Sequence, residues 1–533
     1  MHTESMSFVF VLTVVLLCTT TRASEIGPRS QPIHFVTSCS PEIRDQFDNG
    51  VTMLHSFEYP ESSRLFGELI EKEPECAMAY WGAAMSVWHP LWAPPSVADL
   101  DVGAELLAAA DRLEATPRER AYMNALRAFF SDADPGTHAV RAQSYATAMS
   151  EVYQRYFETD PEAAVFYALA LLAASNPRDK TYSNQFRSAG LLNWVRESQP
   201  KHPGALHYII HSYDFPGLAH LGYSAAQEYA TAAPNSAHAQ HMPSHIFTRL
   251  GLWEQSLSSN HDSTRSAAEY TERANLPGHY DEGLHSIDYL MYAMLQTGRD
   301  EEAADLMKQL ASIDRTDTEN FKVAYTYASS PARYVLERRA WNEAAQLALV
   351  RDDFAWQEFG FALSIHHFAR GIGAARSGQI EPASVELARI RGIQAELPAS
   401  TLTYWREQVQ VHIDALNAWV LMSEGKMDAA IQSARAAADL EDSVDKHPVT
   451  PGEVLPAREL LADLLLEAGQ YTSALVEYET VLKKAPNKLN ALVGAAEAAE
   501  NSGKTELALS FRKTIRTQVK NGSGPRAASL RAY

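Results

Sequence analysis

Apolar residues recur every three or four positions along almost the whole chain, and alternating apolar and polar runs are nearly absent. Ala, Leu, Glu and Arg dominate these stretches, and this spacing gathers apolar side chains on one face of an α-helix. Gly interrupts the short amphipathic segments and Pro follows them, which is typical of successive helices joined by tight turns. The pattern therefore predicts an all-α protein made of many short helices.

The clearest unit is LPARELLADLLLEAGQYTSALVEYETVLKKAP at 455–486, which predicts two helices broken at Gly469. Its small, aromatic and proline positions resemble the tetratricopeptide repeat, a 34-residue hairpin of a helix A and a helix B. The matching residues are Ala462, Gly469, Tyr471, Ala474, Tyr478 and Pro486. The following unit repeats the pattern with Ala496, Gly503 and Ala508.

Looser copies of this unit share a Gly and a following Ala, at Gly298, Gly378 and Gly425. With them the resemblance covers most of residues 40–517. Since a lone helix hairpin cannot bury its own apolar face, such units stack into a superhelix whose concave side is formed by the A helices. The resemblance implies a right-handed α-solenoid of helix hairpins.

Composition along the chain predicts four segments. Residues 1–23 contain the apolar run FVFVLTVVLLC and then small residues, which resembles a secretory signal peptide cleaved near Ala23. A divergent solenoid follows at 31–440, a loop rich in Pro and charge leads to regular repeats at 441–520, and the Gly, Ser and Pro content of 521–533 predicts a disordered tail. We expect a secreted or periplasmic protein without a transmembrane segment, because no later apolar run approaches the length of a membrane span.

Charge and cysteine content narrow the class of partner and compartment. The chain has 46 Lys and Arg against 66 Asp and Glu, a formal charge of -20, so nucleic acid is excluded as the expected partner. Cleavage at Ala23 leaves Cys39 and Cys76. The sequence leaves two interpretations open, a disulfide between them or a small buried thiol at Cys76.

Histidines cluster in the middle of the chain with a shared repeat register. HPGALHYIIHSYDF at 202–215 places His207 and His211 four apart, and HAQHMPSHIF at 238–247 places His241 and His245 four apart, 34 positions later. This offset is one repeat length, so both pairs occupy the same helix A positions, counted back from Gly217 and Gly251. These positions face the concave groove in tetratricopeptide repeats.

The same count adds groove positions in neighbouring units, and together they predict a transition-metal site. Imidazole suits Zn, Cu or Fe, and helices packed about 8 to 10 Å apart let side chains from both meet at one ion. The predicted ligands are His207, His211, His241, His245, His285 and Asp288, with His238 and Glu282 as weaker candidates. Asp288 or Glu282 is also the candidate base beside a metal-bound water, as in a metal-dependent enzyme.

Other interpretations stay open at this stage. The groove could instead belong to an interaction scaffold that binds a peptide or partner helix, with the histidines as recognition residues. Trp81 and Trp88 fall at positions that predict a place in the same groove.

Pro243 predicts either a kink between His241 and His245 or a helix that begins at Pro243. No zinc-peptidase motif, nucleophile elbow or phosphate-binding glycine loop occurs, so the catalytic residues are not assigned.

Longer stretches carry a second resemblance. HPGALHYIIHSYDFPGLA, HAQHMPSHIFTRLGLW and LHSIDYLMYAMLQTGRDEEA are similar to segments of a group of large, mostly bacterial tetratricopeptide-repeat proteins. This resemblance supports the predicted fold and implies no particular activity.

Overall fold

The computed structural model describes residues 33–92, 94–132, 134–234 and 236–533. These residues form 26 α-helices and four short 3₁₀ helices, and their only strand-like pairings are the isolated bridges His279–Thr316 and Arg299–Ser523. The predicted all-α class is confirmed. The predicted signal peptide lies outside the described residues, and within them no helix combines the length and apolar character needed to cross a membrane.

Most helices pack against the helix that follows them in the chain. The first eight are α1 Arg44–His55, α2 Tyr59–Lys72, α3 Ala77–Ser86, α4 Val97–Ala110, α5 Pro117–Phe129, α6 His138–Tyr156, α7 Pro161–Ala173 and α8 Ser183–Ser198. The next eight are α9 Pro203–Tyr213, α10 Tyr223–Ala232, α11 Ala237–His241, α12 Pro243–Arg249, α13 Trp253–Arg273, α14 Asp281–Gln296, α15 Asp300–Ala311 and α16 Phe321–Glu337.

Ten helices complete the chain: α17 Trp341–Ala345, α18 Gly360–Arg376, α19 Ile380–Glu396, α20 Thr403–Ser423, α21 Met427–Asp442, α22 Ala457–Glu467, α23 Tyr471–Lys484, α24 Leu489–Asn501, α25 Thr505–Gln518 and α26 Gly524–Ala532. The 3₁₀ helices are Pro41–Ile43, Pro135–Thr137, Ala219–Gly222 and Trp356–Phe359.

The glycines that marked the predicted hairpin turns adopt the left-handed backbone that such turns need. Gly298 has φ +69°, Gly469 φ +73° and Gly503 φ +77°, and a side chain would strain this conformation. Gly251, also used for the register, has φ +66°. Gly217 differs, since it lies beyond the end of α9 and does not have a positive φ. The turn signal is therefore sound in the regular repeats and weaker around α9.

The apolar core divides near residue 250, whereas the composition shift lies near 440. One large cluster of buried apolar side chains runs from Ile33 to Phe247, and a second runs from Trp253 to Ala508. Charged contacts join the two across the molecule: Lys180 Nζ lies 2.9 Å from Asp445, and Lys446 Nζ lies 2.7 Å from Asp214. The loop at 445–450 therefore reaches from the second core to the first.

This packing corrects one sequence interpretation and decides another. Residues 524–532 form α26, and Arg526 binds Asp300 Oδ2 at 2.9 Å and the Leu295 carbonyl at 2.8 Å, so the prediction of a disordered tail is wrong. Cys39 and Cys76 form a disulfide with their Cα atoms 5.1 Å apart, which decides between the two cysteine interpretations.

Trp81 and Trp88 do not line the groove. Both side chains are fully buried in the first core. Trp81 stacks on Phe35 at 5.4 Å between ring centroids, and Trp88 packs edge-on against Tyr145 at 4.6 Å. The prediction of a groove position is wrong because an aromatic stripe at helical spacing fits a core as well as a groove.

Candidate metal centre

Six histidines from four helices face one buried region of the molecule. α9 carries His207 and His211, α11 carries His238 and His241, α12 carries His245, and α14 carries His285. Their side chains are between 0% and 8% exposed. Apolar packing alone does not account for these six buried side chains, because each nitrogen of a buried imidazole needs a polar partner.

The six side chains separate into two sets of three. The first histidine group consists of His207, His211 and His238, and its ligand atoms lie within 4.8 Å of one another. His207 Nε2 lies 3.1 Å from His211 Nε2 and 3.2 Å from His238 Nε2. Three ring nitrogens therefore converge on one point.

The outer ring nitrogens of the first histidine group are held by fixed acceptors. His207 Nδ1 donates to the carbonyl oxygen of His55 at 2.6 Å, and His238 Nδ1 donates to Glu282 Oε2 at 3.1 Å. Since a neutral imidazole carries one proton, these bonds leave both Nε2 atoms as acceptors. Two lone pairs therefore face each other at 3.2 Å.

The second histidine group, His241, His245 and His285, repeats this arrangement, and its ligand atoms also lie within 4.8 Å. His241 Nε2 and His245 Nε2 are 3.0 Å apart. His241 Nδ1 donates to Asn260 Oδ1 at 2.6 Å, and His245 Nδ1 donates to Asp214 Oδ2 at 2.9 Å. The Nε2 atoms again have no proton to share between them.

Burial favours the neutral form of five of these six rings. It lowers the pKa of His207 and His241 well below the usual value, and repulsion from neighbouring histidines adds to the effect. The pKa values of His211 and His285 fall in the same direction, again chiefly because of burial. Burial lowers the pKa of His245 to about 4, although its hydrogen bond to Asp214 opposes the shift. Neutral imidazole is the form that binds metal ions.

The two histidine groups are neighbours. The rings of His211 and His245 are 6.0 Å apart, and those of His238 and His241 are 6.3 Å apart, measured between centroids. A small cavity of about 10 Å³ touches both groups and is covered by Trp92, Pro448 and Val449. Its size is that of about one water molecule.

Pro243 interrupts the helix that carries three of these histidines without destroying its helical path. α11 ends at His241 and α12 begins at Pro243, while Met242 between them keeps helical angles of φ -53° and ψ -37°. The structure therefore has a break between His241 and His245, and His238 and His241 lie on a short helix of their own. The spacing of four still brings the two Nε2 atoms together.

The predicted carboxylates take other roles. Asp288 lies in neither histidine group: its Oδ1 accepts hydrogen bonds from Ser329 at 2.9 Å and Arg333 at 3.1 Å. Glu282 accepts from His238 and also pairs with Lys322. Glu282 therefore accepts a hydrogen bond from a histidine of the first group without belonging to that group. Asp288 instead binds side chains of α16.

Sequence reasoning missed the groups that orient the second histidine group. Asp214 accepts from His245 and is itself held by Arg249 Nε at 2.9 Å and Lys446 Nζ at 2.7 Å. Asn260 accepts from His241 and donates to the Ser256 carbonyl at 2.8 Å, which fixes its amide. Of these two acceptors, only Asp214 is close in sequence to a predicted ligand, since it follows His211 in the segment HPGALHYIIHSYDF.

A third histidine-rich set lies beside the first group and has a different bonding pattern. This closed cluster consists of His55, Glu162 and His202. Glu162 accepts from His55 Nε2 and from His202 Nε2, both at 2.8 Å. His55 Nδ1 accepts from the Tyr208 hydroxyl at 3.0 Å, and His202 Nδ1 accepts from the Ala205 amide at 3.2 Å. All four ring nitrogens have partners from the protein.

A larger cavity of about 470 Å³ adjoins the histidine groups. His211, Trp92 and Pro448 line both this cavity and the small one. Its volume falls in the range of small-molecule sites. The histidine groups are therefore next to a chamber that a small molecule can fill.

Comparison with known proteins identifies tetratricopeptide repeats at the end of the chain and two structures of low similarity. The tetratricopeptide repeat family matches residues 465–532, which confirms the repeats predicted in that part of the chain. Human IFIT1, solved as a dimer with m7Gppp-AAAA, is 12% identical with a TM-score of 0.38, and the alignment covers 90% of this chain and 95% of IFIT1. Yeast Tom70 is 12% identical with a TM-score of 0.32, and the alignment covers 91% of this chain and 93% of Tom70. A search of the curated proteins gave no match.

Proposed function

We propose that the protein binds two transition-metal ions, one at each histidine group. The observation that carries this proposal is the pair of facing acceptors in each group, His207 with His238 and His241 with His245. Lone pairs at about 3 Å repel unless a cation lies between them. Three imidazoles around one ion are the ligand set of many catalytic metal sites.

The ligand chemistry favours copper or zinc. Both histidine groups offer only imidazole nitrogen, and no carboxylate of the described residues belongs to either group. Mg, Ca and Mn prefer oxygen ligands, and copper stands highest among divalent first-row metals in affinity for a nitrogen site. Zinc also takes three imidazoles and leaves a fourth position open. A structural site would be closed by a fourth protein ligand, so three ligands favour a reactive centre.

The surroundings of the histidine groups resemble the supporting shell of a metal site. Carboxylates of Glu282 and Asp214, the amide oxygen of Asn260 and the His55 carbonyl each accept a hydrogen bond from the outer ring nitrogen of one ligand. Such acceptors fix the tautomer and raise the basicity of the inner nitrogen. This shell of acceptors is therefore a second observation in favour of metal binding.

A tetratricopeptide-type solenoid also fits a scaffold that binds a protein or peptide partner. The six histidines are an unsuitable recognition surface for such a partner, because their side chains are buried against one another. We therefore place metal binding first. We also propose a secreted or periplasmic location, which the apolar N-terminal run and the Cys39–Cys76 disulfide support.

Elemental analysis of untagged protein, produced with copper and zinc supplied, tests the proposal. We expect about two ions per chain in the native protein, about one in His211→Ala and about one in His245→Ala, because each variant removes a ligand from one group. The matched control is His412→Ala, a buried histidine outside both groups whose Nδ1 lies 3.1 Å from Ser364 Oγ. It should keep two ions.

Absence of metal from the native protein would overturn the proposal. Equal metal content in the native protein and both group variants would do so as well, since the ions would then be bound elsewhere. Uptake by the native protein and loss in the control would point to a general folding defect, and circular dichroism of each variant identifies that case.

A further inference from the structure

The large cavity borders the first histidine group. His211 forms part of its wall and belongs to the first histidine group. The small cavity shares this wall and also touches His245 and His285 of the second group. A molecule in the large cavity therefore contacts the first histidine group at His211, and the wall shared with the small cavity, formed by Trp92, His211 and Pro448, lies between it and the second group.

Charged groups on the cavity wall are already paired. Asp214 is bound by Lys446, and Asp445 lies 2.9 Å from Lys180 Nζ. The histidines of the wall are neutral at neutral pH, since burial lowers the pKa of His89 and His138 and brings the pKa of His447 to about 3. No free charge among the described lining residues favours an ionic ligand.

The rest of the wall is apolar and largely aromatic. Trp92, Phe215 and Tyr404 contribute rings, and Leu91 and Leu402 contribute aliphatic side chains. Aromatic walls select flat, apolar molecules by stacking and by excluding water. Such a surface fits a ligand with one or two aromatic rings.

We propose that the large cavity binds a neutral molecule with an aromatic ring and presents it to the metal centre at His211. This inference rests on the proposed function for its second half and on the cavity itself for its first. Para-fluorophenol, a neutral aromatic that carries a fluorine label, serves as the probe.

Fluorine NMR with para-fluorophenol tests both halves on the full chain. We expect the probe to bind the metal-free protein, and Ala173→Phe, which places a ring into the cavity from the end of α7, to weaken binding at least tenfold. Ala174→Phe is the matched control, because it changes the neighbouring residue, which does not line the cavity. Thr403→Trp, at an exposed lining position, is a second obstruction should Ala173→Phe fail to fold.

The metal arm compares protein loaded with Co²⁺ and protein loaded with Zn²⁺. We expect Co²⁺, which is paramagnetic, to shorten the fluorine relaxation time of the bound probe severalfold relative to Zn²⁺. The anion para-fluorobenzoate should bind at least tenfold more weakly than para-fluorophenol.

The outcomes separate the two proposals. If the protein takes up no metal but Ala173→Phe still blocks the phenol, the proposed function fails and the cavity assignment holds. If two cobalt ions are bound without any effect on the probe, the site is not next to the metal centre and the inference falls. Binding that is unchanged in both obstructed variants, or tighter binding of the benzoate, also overturns it.

Discussion

The closed cluster and the two histidine groups contain the same residue types within a few ångströms of each other, yet their ring nitrogens are satisfied differently. In the closed cluster Glu162 accepts from two histidines, and the other two nitrogens accept from Tyr208 and the Ala205 amide. In the histidine groups the outer nitrogens donate to fixed acceptors, while the inner Nε2 atoms face one another. Proximity of histidines is therefore not the sign of a metal site. The better sign is a pair of buried ring nitrogens that face each other as acceptors, because each outer nitrogen already donates elsewhere.

The two regions are also joined. The carbonyl of His55, a member of the closed cluster, accepts a hydrogen bond from His207 Nδ1. His202 begins α9, where its ring caps the helix that carries His207 and His211. The closed cluster thus fixes the position and tautomer of a predicted ligand, so the comparison can be tested by disturbing each region separately.

Metal removal should have the largest effect. If each ion is present at about 100 times its dissociation constant, two ions stabilise the folded protein by about 5 kcal/mol, and a chelator should remove this stabilisation. Denaturant unfolding with and without chelator measures it. The double variant His211→Ala/His245→Ala should be insensitive to chelator, and an equal response of native and variant protein would contradict the account.

Loss of the closed carboxylate should destabilise the protein without changing its metal content. Glu162→Gln replaces one acceptor oxygen by an amide NH2 and so leaves one of the two buried histidines without an acceptor, at a cost of about 3 kcal/mol in the free energy of unfolding. Burial alone would raise the pKa of Glu162, but His55 and His202 together hold it well below its usual range. Its stabilisation is therefore present at neutral pH and declines as the pH falls below about 4.3, and the variant should lack this acid-sensitive part.

The control for this variant is Glu158→Gln, an exposed carboxylate just before α7. It should leave stability and metal content unchanged. If Glu162→Gln instead lost metal while remaining folded, the closed cluster would itself be a ligand set, and the distinction between the two regions would fail.

The smallest expected effect concerns the shell of the first histidine group. Glu282→Gln weakens the acceptor of His238 Nδ1 and should reduce the affinity of one ion by about tenfold, or about 1.4 kcal/mol. Competition with a chromophoric chelator measures the change. Asp288→Asn, on the same helix but outside both groups, should leave both affinities unchanged. A larger loss in Asp288→Asn than in Glu282→Gln would restore Asp288 as a ligand.

Much of the fold was accessible from the sequence because its signals are local. Glycines such as Gly298 and Gly469 adopt a left-handed backbone, and the alanines that follow them, Ala303 and Ala474, are fully buried. The prediction of a disordered tail fails because the order of this segment depends on contacts with residues far away in the sequence. Arg526 binds groups of α14 and α15, more than two hundred residues away, and no local pattern reports this docking.

The candidate site was only partly accessible for the same reason. The repeat register identified His207, His211, His241, His245 and His285 as neighbours, because helical spacing and repeat length are sequence properties. The register could not show that His238 joins the α9 pair while His285 joins the other pair, since this depends on how α11, α12 and α14 pack. The acceptors Asn260 and His55 come from other helices and carry no sequence signal of their own.

X-ray absorption spectroscopy of the metal-loaded native chain, combined with a metal count on the same sample, tests the central claim most directly. We predict two ions per chain, each with three imidazole nitrogens at about 2.0–2.1 Å from the metal. A single ion bound by four imidazoles, or a first shell that includes a protein carboxylate, would contradict it.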